Sequence, residues 1–171
     1  ITHLHADHLG LVSSLATDTS TIYFNQADAA VVNSANLWKE VSDFARINGF
    51  PEDELQRGTK SHPGRRYSLK GRLDFYILKE GDTISIGDYL FRCIETPGHT
   101  RGHMCLYEPN KKIFISGDHL LNDITSNISL WSNEENSLKE YLKSLDKVYN
   151  LDVKLVLPGH RGTFKNFRQR I

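Results

Sequence analysis

The sequence predicts an α/β fold of the α+β kind, with helices packed in layers on β-sheet. Apolar residues recur at helical spacing through most of residues 7–47 and again in residues 134–150. Between these blocks, residues 73–116 have the pattern of short β-branched and aromatic strands separated by glycine or proline turns. No internal repeat or low-complexity tract interrupts the 171 residues, so we expect a single domain over residues 1–171.

The composition argues against several kinds of partner. Hydrophobic residues make up 39% of the chain and charged residues 25%, and 21 basic residues balance 21 acidic ones. A chain with zero net charge has no overall attraction for nucleic acid or for an anionic membrane. No apolar run is long enough to span a bilayer. We therefore expect a cytoplasmic protein that acts on a small molecule, while the sequence leaves its oligomeric state open.

The N-terminal elements follow from local spacing. Residues 7–17 predict a short helix with Asp7 as N-cap, because apolar residues follow it at helical intervals. Residues 21–24 form a short β-branched and aromatic stretch that predicts a strand. Residues 25–47 repeat apolar residues every three or four positions with a slip near Asn33, which predicts a helical stretch.

The later elements are mostly short strands that end at turn residues. Strands are expected at residues 74–78, 83–86, 89–95, 104–107, 113–116 and 154–157, and an amphipathic helix at residues 134–150. Cys93 and Cys105 lie in two of these strands without a CxxC partner. Both are therefore expected to be buried free thiols.

The segment 48–72 is expected to form a loop or lid within the domain, because its second half is rich in glycine and in basic residues. It is either a solvated loop or a cover over the site whose Arg65, Arg66 or Tyr67 contacts an anionic substrate. Trp131 either lines the same pocket or packs beneath a loop.

The first eight residues contain the motif H-x-H-x-D-H, formed by His3, His5, Asp7 and His8. On an extended backbone His3 and His5 project from the same face, with alpha carbons roughly 7 Å apart. The chain must then turn for Asp7 and His8 to point to the same place. Neutral imidazole and carboxylate together suit zinc, iron or manganese. The motif therefore predicts a metal site, the alternative being a polar loop with chance histidines.

Three later strands end in a common way, with an apolar run, a glycine and then a side chain that can bind metal. These side chains are His99, Asp118 and His160. Loops at one end of a sheet can converge on a single pocket although they are far apart in sequence. The ordered set therefore predicts one site built from four segments of the chain.

With these motifs the chain resembles the metallo-β-lactamase superfamily of hydrolases, which includes glyoxalase II-type thioesterases, lactonases and phosphodiesterases. The segments HLHADH, TPGHTRGH, SGD and LPGH are similar to the ligand motifs of that family. The resemblance implies an αββα sandwich with the site at one edge of two packed sheets. Because the family has several strands before its first motif, the resemblance also implies a sandwich that is incomplete at the N-terminus.

The resemblance also implies a ligand set. The implied ligands are His3, His5 and His99 for one metal ion, Asp7, His8 and His160 for a second, and Asp118 as the bridge between the two. By the same pattern, His103 and His119 would support the site without binding metal.

The implied chemistry is hydrolysis. Two divalent cations, two aspartates and a bridging hydroxide leave a local charge of about +1, which lowers the pKa of bound water and stabilises an oxyanion. We therefore predict a dinuclear hydrolase in which a metal-bound hydroxide cleaves an ester, thioester or lactone, with Asp7 as the catalytic residue that orients the water. Zinc is the expected metal, with iron or manganese as the alternatives.

Three other functions are compatible with the motifs. They are a persulfide dioxygenase with a single iron, a phosphodiesterase or nuclease, and a truncated domain that binds metal without catalysis. The neutral charge argues against a nuclease. The presence of all seven implied ligands argues against a degenerate domain. A diiron oxygen reductase is disfavoured by His5, because those relatives typically have glutamate there.

Overall fold

Two β-sheets form the centre of the fold. A computed structural model describes residues 1–66, 73–130 and 136–171. Strands β1 (Tyr23–Asn25) and β2 (Tyr76–Leu78) pair in parallel as one small sheet. The second sheet contains, in spatial order, β3 (Thr83–Ile86), β4 (Tyr89–Glu95), β5 (Met104–Glu108), β6 (Ile113–Gly117) and β7 (Leu155–Pro158). Neighbouring strands in this sheet are antiparallel, except that β6 and β7 are parallel.

Helices precede, follow and separate these strands. They are α1 (Ala6–Leu9), α2 (Val12–Leu15), α3 (Gln26–Val32), α4 (Leu37–Ile47), α5 (Glu52–Ser61), α6 (Pro63–Arg66), α7 (Ser137–Tyr149) and α8 (Phe167–Arg170). Within the described ranges, none of them combines the length and the apolar character that crossing a bilayer requires.

The larger sheet buries both of its faces, because successive strand residues point to opposite sides. On β4, Cys93 packs with Leu78 of the small sheet, whereas the next residue, Ile94, packs with Val148 of α7. The outer face of the small sheet is covered in turn, where Phe24 packs with residues of α1 and α3. The layers are therefore helix, sheet, sheet and helix, which confirms the predicted αββα class.

Two details of the expected core are also confirmed. Cys93 and Cys105 are free and buried, and they lie in adjacent strands in the cores on opposite faces of the larger sheet. Five expected strands have their expected bounds to within one residue, namely those at residues 83–86, 89–95, 104–107, 113–116 and 154–157.

The mutation Phe114→Ala should lower the free energy of unfolding by about 3–5 kcal/mol. Phe114 on β6 is fully buried, and its ring lies 5.4 Å from that of Phe167. Alanine would leave a cavity in the core between the larger sheet and α7. Urea unfolding monitored by circular dichroism measures the change, and Ile86→Ala, at a position 56% exposed, is the control with an expected loss below about 1 kcal/mol. A loss for Phe114→Ala no larger than the control's would contradict this packing.

The N-terminal helices are shorter than predicted. The helix expected over residues 7–17 is divided into α1 and α2 around Gly10, a poor helix former. His5, in an extended conformation, occupies the N-cap position that was expected for Asp7. The stretch expected over residues 25–47 is divided as well, into α3 and α4. Asn25 caps α3 by accepting a hydrogen bond from the Ala27 N–H at 2.8 Å.

Residues 48–66 of the segment expected to be a loop or lid are largely helical, as α5 and α6. Three acidic residues occupy the first turn of α5, where they interact favourably with the helix dipole. Pro63 begins α6, a position at which its fixed φ favours a helix. The glycine and basic content that suggested a loop is therefore compatible with short helices, and the role of a lid stays a prediction.

Candidate metal centre

One edge of the larger sheet carries three of the four segments that were predicted to bind metal. Strands β4, β6 and β7 run in the same direction, because β4 and β6 are each antiparallel to β5 and β7 is parallel to β6. Their carboxyl ends therefore lie at the same edge, and His99, Asp118 and His160 follow them. The fourth segment, at the N-terminus, reaches the same edge, where the backbone N–H of Met104 donates to the carbonyl of Thr2 at 2.8 Å.

Three histidines form the first group. His99 Nε2 lies 2.9 Å from His5 Nδ1 and 3.2 Å from His3 Nε2, and the last two nitrogens are 3.1 Å apart. Nitrogen atoms bound tetrahedrally to one zinc ion at about 2.0–2.1 Å would lie about 3.3 Å from one another. The triangle of ring nitrogens is therefore close to the size that a single metal ion requires.

The second group is more open to solvent. His160 Nε2 lies 3.2 Å from Asp7 Oδ2 and 3.3 Å from His8 Nε2. The side chain of His8 is 12% exposed, whereas that of His160 is 40% exposed and that of Asp7 59%. A small molecule would therefore approach the centre from the side of Asp7 and His160.

Asp118 lies between the two groups. Its Oδ2 is 3.5 Å from His99 Nε2 in the first group and 3.3 Å from His160 Nε2 in the second. Its Oδ1 lies 3.3 Å from His8 Nε2. One carboxylate thus reaches both sets of donors, as the predicted bridge would.

Hydrogen bonds fix the protonation of two histidines in and around the centre. His99 Nδ1 lies 2.7 Å from the Asn127 carbonyl, which can only accept, so Nδ1 carries the proton and Nε2 presents its lone pair to the first group. His103 Nε2 accepts from the backbone N–H of Asp118 at 3.1 Å, so its Nδ1 donates to Thr96 Oγ1 at 2.8 Å. His103 thereby supports the backbone of Asp118, in keeping with the supporting role implied for it.

Burial keeps the histidines of the first group neutral. It lowers the pKa of His3 well below the ordinary value, and it lowers that of His5 from 6.5 to about 4, with the neighbouring His99 acting in the same direction. The pKa of His99 is lowered by burial as well. Burial alone would raise the pKa of Asp118, but the close approach of His8 Nε2, at 3.3 Å, and the other imidazoles nearby favour its ionised form and outweigh burial, so the pKa lies below its ordinary value. Neutral imidazole and ionised carboxylate are the forms that bind metal.

These donors fit a divalent metal ion. Asp118 Oδ1 is buried and, within the described chain, lacks a hydrogen bond of good geometry although His8 Nε2 is close by. A buried carboxylate oxygen beside ring nitrogens that present lone pairs would be satisfied by a cation between them. Imidazole and carboxylate are ligands of zinc, iron and manganese alike, so the donor set does not select one of the three.

The structure brings all seven implied ligands together, and their ligand role stays a prediction. Four further residues were predicted to contact the substrate. Arg65 lines a cleft with residues of α4 and α5, among them Ser42 and Thr59, and none of the seven side chains lines that cleft. Tyr67 and Trp131 lie outside the described residues, as does the side chain of Arg66.

Several residues around the centre were missed at the level of sequence. Asp28 accepts hydrogen bonds from Leu4, Thr100 and Gly102, and the carbonyl of Asn127 accepts one from His99. Thr100 and Gly102 lie within the TPGHTRGH motif, so their closeness to His99 in the sequence could have identified them. Asp28 is a single carboxylate in the first turn of a helix, where such residues are common for reasons of helix stability alone.

The fold and the site define a class of protein. The sequence model of the metallo-beta-lactamase superfamily matches residues 1–160, and the chain belongs to this superfamily.

Among its relatives is an acyl-coenzyme A thioesterase, MBLAC2, from Homo sapiens, which is 28% identical over 170 residues, or 95% of this chain and 55% of the relative. A hydroxyacylglutathione hydrolase from Maricaulis maris is 29% identical over 119 residues, or 68% of this chain and 46% of the relative. The chain thus spans about half the length of the relatives it matches.

Solved structures share the fold. A beta-lactamase domain protein from Burkholderia ambifaria superposes with a TM-score of 0.81 at 26% identity, over 99% of this chain and 51% of its own length. A metallo-beta-lactamase family protein from Thermus thermophilus gives a TM-score of 0.78 at 23% identity, over 99% of this chain and 56% of its own.

Proposed function

We propose that the protein is a metal-dependent hydrolase with two divalent metal ions, and that it cleaves an acyl bond to sulfur or oxygen, with thioesters favoured. The observation that carries this proposal is the convergence of seven imidazole and carboxylate side chains in two overlapping groups. Asp118 has one oxygen within 3.5 Å of donors in both groups, which favours a shared pair of ions over two separate ones.

Metal ions bound here would supply a Lewis acid for the carbonyl oxygen and would lower the pKa of a water molecule toward neutrality. His3, His5 and His99 would hold one ion in the buried part of the centre. Asp7 is half-exposed at the open side, and its carboxylate can accept a hydrogen bond from the attacking water and orient it toward the substrate. The neutral imidazoles of His3, His5 and His99 present no protonated group that would repel a cation there.

The proposed bond type rests on the relatives. Two of them are named for acyl-coenzyme A and for hydroxyacylglutathione, and both names describe an acyl group carried on a thiol. Esters and lactones remain within the same chemistry, because the attacked carbonyl is similar in all three. The proposed substrate is a small and preferably anionic molecule, since the centre itself would carry a small positive charge.

The test combines metal analysis with a substrate panel. The protein would be loaded separately with zinc, manganese and iron(II), and assayed on an acyl-coenzyme A, an S-acylglutathione, an aryl ester, a lactone and a phosphodiester. We expect close to two metal ions per chain, and thioester hydrolysis that a chelator abolishes and added metal restores.

Three outcomes would contradict the proposal. One iron per chain together with oxygen uptake on glutathione persulfide would indicate a dioxygenase. Cleavage confined to the phosphodiester would indicate a nuclease-like activity. Protein that neither retains metal nor hydrolyses any member of the panel would indicate a domain without catalysis.

A further inference from the structure

Asp28, in α3, is a fully buried carboxylate that accepts three hydrogen bonds. Its Oδ2 accepts from the backbone N–H of Leu4 at 2.9 Å and from the hydroxyl of Thr100 at 2.7 Å. Its Oδ1 accepts from the backbone N–H of Gly102 at 2.7 Å. All three donors are neutral groups of two loops, and their hydrogen bonds satisfy both oxygens of the buried carboxylate.

The two loops are those that carry the three-histidine group. Leu4 lies between His3 and His5, and Thr100 follows His99 directly. These segments are about 95 residues apart in sequence, and the ring nitrogens of His5 and His99 nevertheless lie 2.9 Å from each other. Asp28 accepts a hydrogen bond from a neighbour of each of these two histidines, from the backbone N–H of Leu4 beside His5 and from the hydroxyl of Thr100 beside His99.

The loop that follows His99 packs directly on the start of α3. A Cβ atom at Gly102 would lie 2.6 Å from Asp28 N and 2.7 Å from Asn25 Oδ1, so the close approach requires glycine. Asn25 in turn caps α3 and donates from Nδ2 to Glu95 at 3.0 Å, at the end of β4. The position of Asp28 is thus fixed from both sides, by the helix cap and by the larger sheet.

We propose that Asp28 is a positioning residue that holds the N-terminal loop against the TPGHTRGH loop before metal binds. Groups that are already in place lose less freedom on binding, so the arrangement would raise the metal affinity of the three-histidine group. The inference rests on the metal-dependent function proposed above. It adds the claim that a residue outside the ligand set determines how well the site is formed in the metal-free protein.

The test uses Asp28→Asn. An amide has one acceptor oxygen, so its NH₂ group must face one of the N–H donors that the carboxylate now satisfies. We expect the affinity for zinc, measured by chelator competition, to fall by roughly 10–100-fold. We also expect amide hydrogen exchange at Leu4 and Gly102 in the metal-free protein to become faster. Ala30→Gly is the control, because Ala30 is exposed on the same helix, so that its replacement destabilises the helix and should change neither measurement by more than about twofold.

Two results would overturn the inference. In the first, Asp28→Asn binds zinc within twofold of the unchanged protein and its exchange rates at the two amides are unaltered. In the second, Asp28→Asn and Ala30→Gly lose affinity equally at equal losses of melting temperature, which would mean that Asp28 contributes general stability alone. If Asp28→Asn does not fold, Thr100→Val decides, since it removes one donor and keeps the carboxylate. A severalfold loss of zinc affinity supports the inference, and an unchanged affinity overturns it.

The visible spectrum of the cobalt-substituted protein provides a further readout. A positioning role predicts an altered ligand-field spectrum for Asp28→Asn and an unaltered one for Ala30→Gly. None of these measurements uses a substrate. A protein that hydrolyses nothing but shows this pattern would reject the proposed function and would support the role of Asp28.

Discussion

The mutation Asp118→Ala should remove both metal retention and hydrolysis, lowering the rate by at least about 10³-fold, because the carboxylate that faces both groups of donors is lost. We expect the chain to remain folded, since the residue lies in a loop after β6 and its side chain contacts polar groups of the centre. His5→Ala should have a similar effect, because it opens the three-histidine group. Metal content, hydrolysis of the preferred substrate and the far-ultraviolet circular dichroism spectrum measure these effects.

Asp123→Ala is a suitable control for this prediction. Asp123 is an exposed acidic residue five positions further along the same loop. Its removal changes the net charge by the same amount without touching the centre, so metal content and rate should stay within about twofold. Activity of Asp118→Ala or His5→Ala within twofold of the unchanged protein would mean that the centre has been assigned to the wrong residues.

The second large effect is expected from Gly159→Ala. A Cβ atom at this position would lie 2.3 Å from Asp118 Oδ1 and 2.7 Å from His8 Cε1, so a single methyl group would displace one or both ligands. A displacement of about 1 Å in a catalytic arrangement costs on the order of 10²-fold in rate. We expect a loss of that size together with weaker metal binding, measured by steady-state kinetics and chelator competition.

Gly162→Ala is the matched control, because a Cβ atom there has no neighbour within 4 Å. It makes the same chemical change three residues further along the loop and should leave rate and metal affinity nearly unaltered. If the two substitutions had equal effects, the loop would be intolerant of any added side chain, and the cause would be unrelated to the ligands. The close packing of Gly159 on Asp118 would then have no special role.

The ligand-bearing loops could be predicted because each obeys a local rule. An apolar strand, a glycine and a metal-binding side chain occur together at His99, Asp118 and His160, and this pattern needs no knowledge of the rest of the fold. The bounds of the helices were harder to predict. Gly10 and Asn33 fall inside stretches of helical spacing, and only the backbone shows that a helix ends at each of them.

The support of the centre could not be predicted, because it consists of contacts between distant residues. Nothing local to Asp28 indicates that its carboxylate meets residues 4, 100 and 102. The charge and glycine-rich surroundings of Arg65 suggested a substrate contact, which stays a prediction. The structure places it beside α4 and α5, a position that depends on how residues 37–66 fold as a unit.

The pairing of His8 with His160 has a consequence for the stability of the whole chain. The two residues are 152 positions apart, and their ring nitrogens lie 3.3 Å from each other. Closing a loop of that length costs roughly 4 kcal/mol in chain entropy. A cation shared by both histidines would act as a reversible cross-link between these two distant segments, much as a disulfide does in secreted domains. Metal supply would then govern the lifetime of the folded protein as well as its chemistry.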